Sequence, residues 1–206
     1  DQIIKEVNNL QNPFGQKIKT VEEVAQLIDL PPRKKKIVMC HGTFDVVHPG
    51  HVRQLIYAKS KGDKLVVTLT ADKYVMKGPL RPYIPQELRA LNLAAFEIVD
   101  YVIIDQNPNP IENIIKLKPD YFVKGFEYSL QGVHPKTKEE IDALSTYGGE
   151  MVFSPGDIVY SSSQLLSIHK PNLALDQLLI LMSAEGLTFE DLRSTINKFK
   201  KLKIHV

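Results

Sequence analysis

The chain has 206 residues, 43% of them hydrophobic and 24% charged, with a net charge of +2 at neutral pH. Such values fit a soluble globular protein with one α/β domain of about 130–150 residues plus something smaller, and they leave no broad basic field for nucleic acid. The single cysteine, Cys40, excludes an internal disulfide and fits a reducing, cytoplasmic setting; no apolar run reaches the roughly 20 residues of a membrane span, and "DQIIKEVNNL" lacks the pattern of a signal peptide.

Residues 1–35 read as a leader with one helix, because "TVEEVAQLI" puts Val21, Val24, Ala25 and Ile28 on one face behind a Thr20 cap. The "RKKK" run at 33–36 reads as a solvated approach to the first strand. Strands are expected at 36–40, 64–70, 100–105, 120–125 and 150–154, with helices at 50–61, 85–97, 110–118 and 137–147. Apolar strands without clean alternation, each followed by a helix, predict a Rossmann-like, doubly wound, five-stranded parallel sheet with both faces covered. "SSSQLLSIHK" then opens a helix, and segments 172–184 and 188–201, parted at Gly186, form a C-terminal helical extension. "TFED" from Thr188 resembles a capping box. The expected domains are the leader, a transferase domain over 36–170, and a helical linker over 171–206 that runs into a further domain. An initial Asp and a terminal "LKIHV" suggest a piece of a longer protein.

The chemistry concentrates in "CHGTFDVVHPGH", residues 40–51, where the first strand gives way to a helix with Pro49 in its first turn. His48 and His51 therefore sit at a helix mouth on the carboxyl edge of the sheet, where free amides and the helix dipole favour an anion. Gly42 and Gly50 are expected to let backbone approach a phosphate closely. The competing reading has one histidine capping the helix and the other packing. Two imidazoles three residues apart, a glycine between them and a strand-to-helix turn point instead to a phosphate site.

"GTFDVVHPGH" resembles the signature of the nucleotidylyltransferase superfamily named for its His-x-Gly-His motif, here His48-Pro49-Gly50-His51. That superfamily holds cytidylyltransferases for small phosphorylated alcohols, pantetheine-phosphate adenylyltransferase and heptose-1-phosphate adenylyltransferases. The resemblance runs from about Lys36 to Ile168. It implies that His48 and His51, helped by turn residues Gly42, Thr43, Phe44 and Gly50, hold a nucleoside triphosphate and stabilise charge on its α-phosphate. It implies further that Lys77 in "MKGPLRP" and Arg89 on the next helix meet triphosphate charge, with Arg81 contacting substrate.

"FVKGFEY", 122–128, is similar to "VKGGDY" of the heptose-phosphate branch, which implies nucleotide contacts from Lys124 and Gly125 and a substrate contact from Glu127 in place of Asp. Ser161, Ser162 and Ser163 resemble a phosphate-holding "STT" element. "SPGDIVY" lacks the arginine that glycerol-phosphate cytidylyltransferases carry before that element, which moves the match toward the heptose enzymes, closest to the adenylyltransferase domain of ADP-heptose synthase. Asp45 is expected to brace the turn, and Cys40 to lie buried in its strand. His41, His134, His169 and His205 show no metal-ligand grouping; Mg²⁺ is expected only with the triphosphate, and no metal ligand is expected from the chain itself.

Three functions follow in order: adenylyl transfer from ATP to a sugar 1-phosphate, CTP-dependent transfer to glycerol phosphate or a similar alcohol, and non-catalytic nucleotide sensing. A homodimer is expected. So is fusion to a second catalytic domain, since "LKIHV" resembles the opening strand of a ribokinase-like sugar kinase.

Overall fold

The computed structural model describes residues 14–76, 81–125, 128, 135–155, 178, 182 and 185–201. The chain forms two compact units, Asp1–Ser162 and Ser163–Val206. In the first unit the elements are α1 (Val21–Ile28), β1 (Ile37–Gly42), α2 (Pro49–Lys59), β2 (Lys64–Thr70), α3 (Gln86–Ala94), β3 (Tyr101–Asp105), α4 (Ile111–Leu117), β4 (Tyr121–Lys124), α5 (Pro135–Ser145) and β5 (Glu150–Phe153). The strands pair in parallel in the order β3-β2-β1-β4-β5. Crossovers thus depart to opposite sides of β1, and the gap between the carboxyl ends of β1 and β4 is the topological switch point.

Alternation along β1 divides the core. Val38 and Cys40 meet Leu55 and Ala58 of α2 and Leu93 of α3 on one face, while Ile37 and Met39 meet Val24 of α1, Ile114 of α4 and Leu144 of α5 on the other. Each fully buried Leu, Ile or Val contributes about 1.5–3 kcal/mol of hydrophobic stabilisation, which explains the unbroken apolar runs in these strands.

The leader helix belongs to this second face. Thr20 and Glu23 close a capping box on α1, Val24 and Ile28 are buried in the core, and Lys17 Nζ donates to the Phe96 carbonyl at 2.9 Å. The "RKKK" run divides in two: Lys34 and Lys35 are exposed, but the Arg33 side chain is only 3% exposed and ion-pairs with Asp120 at 3.0 Å. Arg33 also donates to the carbonyls of Asp29, Leu117 and Lys118. It is a clamp at the amino edge of the sheet, which corrects the expectation of a wholly solvated run.

β1 extends two residues beyond the predicted strand, because His41 and Gly42 continue the ladder opposite Thr68 and Leu69. In the second unit α6 (Phe189–Lys201) starts at Thr188, whose hydroxyl accepts from Asp191 N–H while its own N–H donates to the Asp191 carboxylate. This is the predicted capping box. Gly186 before it has φ +63°, a left-handed conformation that glycine adopts without penalty. The helix opening at "SSSQLLSIHK" and most of 172–184 lie outside the described residues. Among the described residues no helix is long and apolar enough to cross a membrane.

Candidate active site

After Gly42 the chain turns sharply at Phe44, which has φ +50°. A non-glycine residue held there costs about 1–3 kcal/mol, and such strain persists where surrounding structure fixes it. Phe44 is fixed by burial in the α2/α3 core. Its ring occupies the space beside Gly42, where an added β-carbon would stand 3.1 Å from Phe44 Cε2. Gly42 therefore makes room for a ring, a requirement separate from the expected approach of a phosphate to its backbone.

Pro49 opens α2 and His48 is the N-cap, its Nδ1 accepting from Gly50 N–H at 3.2 Å. A nitrogen that accepts carries no proton, so in the neutral ring the proton sits on Nε2. Capping and phosphate binding are thus compatible, since Nδ1 serves the helix and Nε2–H is the donor an oxyanion needs. The His51 ring stacks on His48 with centroids 3.9 Å apart and planes 30° from parallel. Phe44 flanks His51 at 5.0 Å. The two imidazoles are brought to one side of the helix mouth, as their spacing predicts.

The segment from 81 to 89 grips this turn at two points. Asp45, 2% exposed, accepts from Tyr83 and Ile84 N–H at 2.8 and 3.0 Å and pairs with Arg81 Nε at 3.2 Å. Asp45 braces the turn, as expected. Arg81, expected to touch substrate, is instead committed to Asp45 and packs over the Tyr83 ring. Arg89, expected to meet triphosphate charge, is fully buried. Its guanidinium donates to the carbonyls of Ile84, Thr43 and Thr70 and pairs with the Asp72 carboxylate. It acts on the site through Thr43, whose carbonyl it anchors, and this corrects the expectation of direct contact.

Lys124 also has protein partners. It shares a sheet face with Phe122, and its Nζ bonds Glu140 at 2.5 Å and Thr137 at 3.2 Å on α5. That face is opposite α2, and in the ligand-free protein the amine is held by α5. Gly125 is buried just beyond it, at the switch point. Lys77, Glu127, Ser161, Ser162 and Ser163 lie outside the described residues.

Sequence reasoning assigned nothing to Asp72, Thr137, Glu140 or the cluster around His41. Asp72 and Arg89 are separated by seventeen residues, and only the fold joins them. Cys40 is fully buried, and burial pushes its thiol pKa far up, so it is an inert core residue.

The cytidylyltransferase-like family matches residues 39–166, more than half of the chain and the whole of the β1–α2 turn. The chain belongs to this family. It is a nucleotidyltransferase. Similar proteins include the bifunctional protein HldE of Geobacter metallireducens, 42% identical over 138 residues that make up 66% of this chain and 27% of that protein. HldE of Campylobacter jejuni subsp. jejuni is 46% identical over 117 residues, 56% of this chain and 25% of that one. The chain thus spans about a quarter of the length of these curated relatives.

Among solved structures, the lipopolysaccharide core biosynthesis protein from Thermoplasma volcanium aligns with a TM-score of 0.52 at 23% identity, covering 61% of this chain and 100% of that one. Pantoate–β-alanine ligase from Francisella tularensis aligns at 0.53 and 14% identity, covering 88% and 85%. At these identities the likeness is one of fold.

Proposed function

We propose that this chain transfers a nucleoside monophosphate from ATP to a sugar 1-phosphate, releasing pyrophosphate and forming a nucleotide-activated sugar. The observation that carries the reading is the stacked His48–His51 pair at the mouth of α2, with His48 capping through Nδ1 so that its neutral ring carries the proton on Nε2. The resemblance to the heptose-1-phosphate adenylyltransferases and the similarity to bifunctional HldE proteins support it.

The acceptor's phosphate oxygen attacks the α-phosphorus in line, the α-phosphorus bond to the bridging oxygen breaks, and pyrophosphate leaves with that electron pair. The attacking phosphate is already ionised near neutral pH, so no strong general base is required. What the protein supplies is position and fixed donors where negative charge grows. His48 and His51 serve the α-phosphate, with amides of the turn and the first turn of α2 around them. Lys77 and the Ser161–Ser163 cluster meet the remaining phosphate charge. Arg89, Asp45 and Arg81 hold the turn that presents the histidines.

Among the described residues no three carboxylate, histidine or cysteine side chains are grouped to hold a metal, and Asp45 and Asp72 are committed to arginines. That donor set fits a Mg²⁺ carried in by phosphate oxygens and water, where it neutralises triphosphate charge. CTP with a small phosphorylated alcohol is the second reading; it uses the same histidines and differs in the base and acceptor. A homodimer and a second, fused catalytic domain are part of this proposal. The relatives' bifunctional name and the quarter of their length that this chain spans support the fusion, and the likeness of "LKIHV" to a sugar-kinase strand suggests its kind.

The test is a matrix of ATP and CTP against sugar 1-phosphates and glycerol 3-phosphate, with pyrophosphate release as the readout. Turnover with ATP and a sugar 1-phosphate supports the reading. Turnover confined to CTP and glycerol phosphate selects the alternative, and no turnover with any pair rejects both.

A further inference from the structure

Beneath the switch point, four neighbouring strands each end in polar side chains on the face covered by α1, α4 and α5. Lys124 comes from β4, His41 from β1, Thr68 and Thr70 from β2, and Asp105 from β3. The register sets His41 opposite Thr68, and Thr70 opposite Asp105. Directly below lies the apolar layer of Met39, Val66, Ile103 and Phe122. This polar tier closes the sheet on the face opposite α2, and the His41 side chain, only 14% exposed, is at its centre.

Both ring nitrogens of His41 are engaged. Nδ1 lies 2.8 Å from Thr68 Oγ1 and Nε2 lies 3.2 Å from Thr70 Oγ1. Thr68 directs its own hydroxyl proton at the Cys40 carbonyl, 3.4 Å away. Its oxygen is therefore the acceptor from His41, and Nδ1 carries the proton. Nε2 is then the acceptor, with the Thr70 hydroxyl as donor. The Asp105 carboxylate, 3.8 Å from Nδ1, favours a proton on that same nitrogen. Burial, and after it the Lys124 charge, hold the His41 pKa down to about 3, so the ring is neutral at working pH. The charged or titratable groups facing it are Asp105 and Lys124, the latter paired with Glu140.

The next residues after His41 are Gly42 and Thr43, where the phosphate turn begins. Arg89 anchors Thr43 from the α3 side, and His41 ties the same strand end to β2 from the opposite face. We infer that His41 is a positioning residue for nucleotidyl transfer, holding the end of β1 and the start of the phosphate turn as a neutral Nδ1–H imidazole bridged between Thr68 and Thr70. The inference rests on the proposed use of the turn as the α-phosphate site. It differs from a packing role because both hydrogen bonds constrain the direction of the strand end, and a misplacement of about 1 Å there can cost 100-fold in rate.

The test compares His41→Leu, His41→Asn and Thr70→Val. Asparagine can still donate to Thr68, so it should restore most of what leucine loses. In folded protein, His41→Leu should lower kcat by about tenfold or more while KM for the triphosphate changes by less than about threefold. Thr70→Val should show a smaller loss of the same kind. In the ligand-free wild type, ¹⁵N imidazole NMR should show the Nδ1–H tautomer without titration between pH 5 and 8. The Gly42–Phe44 amides should exchange faster in His41→Leu and Thr70→Val than in His41→Asn.

A His41→Leu enzyme with unchanged kcat, an Nε2–H tautomer, or a His41→Asn variant as impaired as His41→Leu would overturn the inference. If no substrate pair turns over in wild type, the proposed reaction falls. The tautomer and amide exchange then still decide whether His41 holds the turn.

Discussion

Replacing Arg89 with Met should cost stability before anything else. The side chain is fully buried, and it donates to the carbonyls of Thr43, Thr70 and Ile84 besides pairing with Asp72. A hydrogen bond to a charged group contributes about 1.5–3 kcal/mol, so a naive sum over four partners reaches about 6–12 kcal/mol. Two features reduce it. Asp72 has a side chain 41% exposed and regains water when the pair is broken, and the buried arginine no longer has to be desolvated on folding. The remaining cost is that of three orphaned carbonyls, about 1–3 kcal/mol each and about 3–5 kcal/mol together after relaxation. For a chain of this size that lowers Tm by about 10 °C. Arg89→Lys keeps the charge but cannot span the same fork of acceptors, and should fall between the two. Thermal unfolding followed by circular dichroism, alongside kcat/KM, separates the possibilities. A folded Arg89→Met with Tm within about 2 °C of wild type and a large kinetic loss would refute the positioning argument and restore direct phosphate contact.

Two further predictions concern the polar tier around His41 and the turn after β1. Burial raises the Asp105 pKa to about 6, so its stabilising effect is present in acid and lost as pH rises through 6; His41, lowered to about 3, stabilises fully above its ordinary 6.5 and loses that as pH falls. Between pH 4 and 6 the two oppose, so urea unfolding should show Asp105→Asn exposing the His41 slope, a loss of up to about 1.4 kcal/mol per unit of acidification; an unchanged profile would contradict the assignment. Gly42→Ala should cost about 1–3 kcal/mol in thermal unfolding, because its β-carbon presses on a Phe44 ring fixed in the core; wild-type stability would show that the ring yields freely.

The fold was legible because its signals are local and repeated. Each strand is a short run of mostly apolar residues, a helix follows each of β1 to β4, and "CHGTFDVVHPGH" marks the first turn of a doubly wound sheet. His48 and His51 were legible for the same reason, as three residues of helix fix their proximity. Arg89, Arg81 and Lys124 were singled out, but the protein groups they hold were not. Their partners, Thr43, Asp45 and Glu140, are distant in sequence, and a cation near a phosphate turn looks the same whether it faces the ligand or the scaffold. Gly42 is a similar case, since a glycine that admits a ring and one that admits a ligand share one letter. The His41 row was readable in principle from alternation, but only once the β1–β2 and β2–β3 registers were known.

The proposed mechanism requires the His48–His51 pair to stabilise charge during transfer, and the decisive measurement is the turnover of His48→Asn. Asparagine is a strong N-cap whose side-chain oxygen can replace Nδ1 as the acceptor for Gly50 N–H, so α2 keeps its cap. It cannot supply the Nε2–H donor. The variant should fold with a Tm close to wild type and lose about 100-fold or more in kcat, as for the removal of one transition-state donor, and His51→Ala should lose a similar factor. Wild-type turnover in a folded His48→Asn protein would mean that the histidine only caps the helix, and would contradict the account.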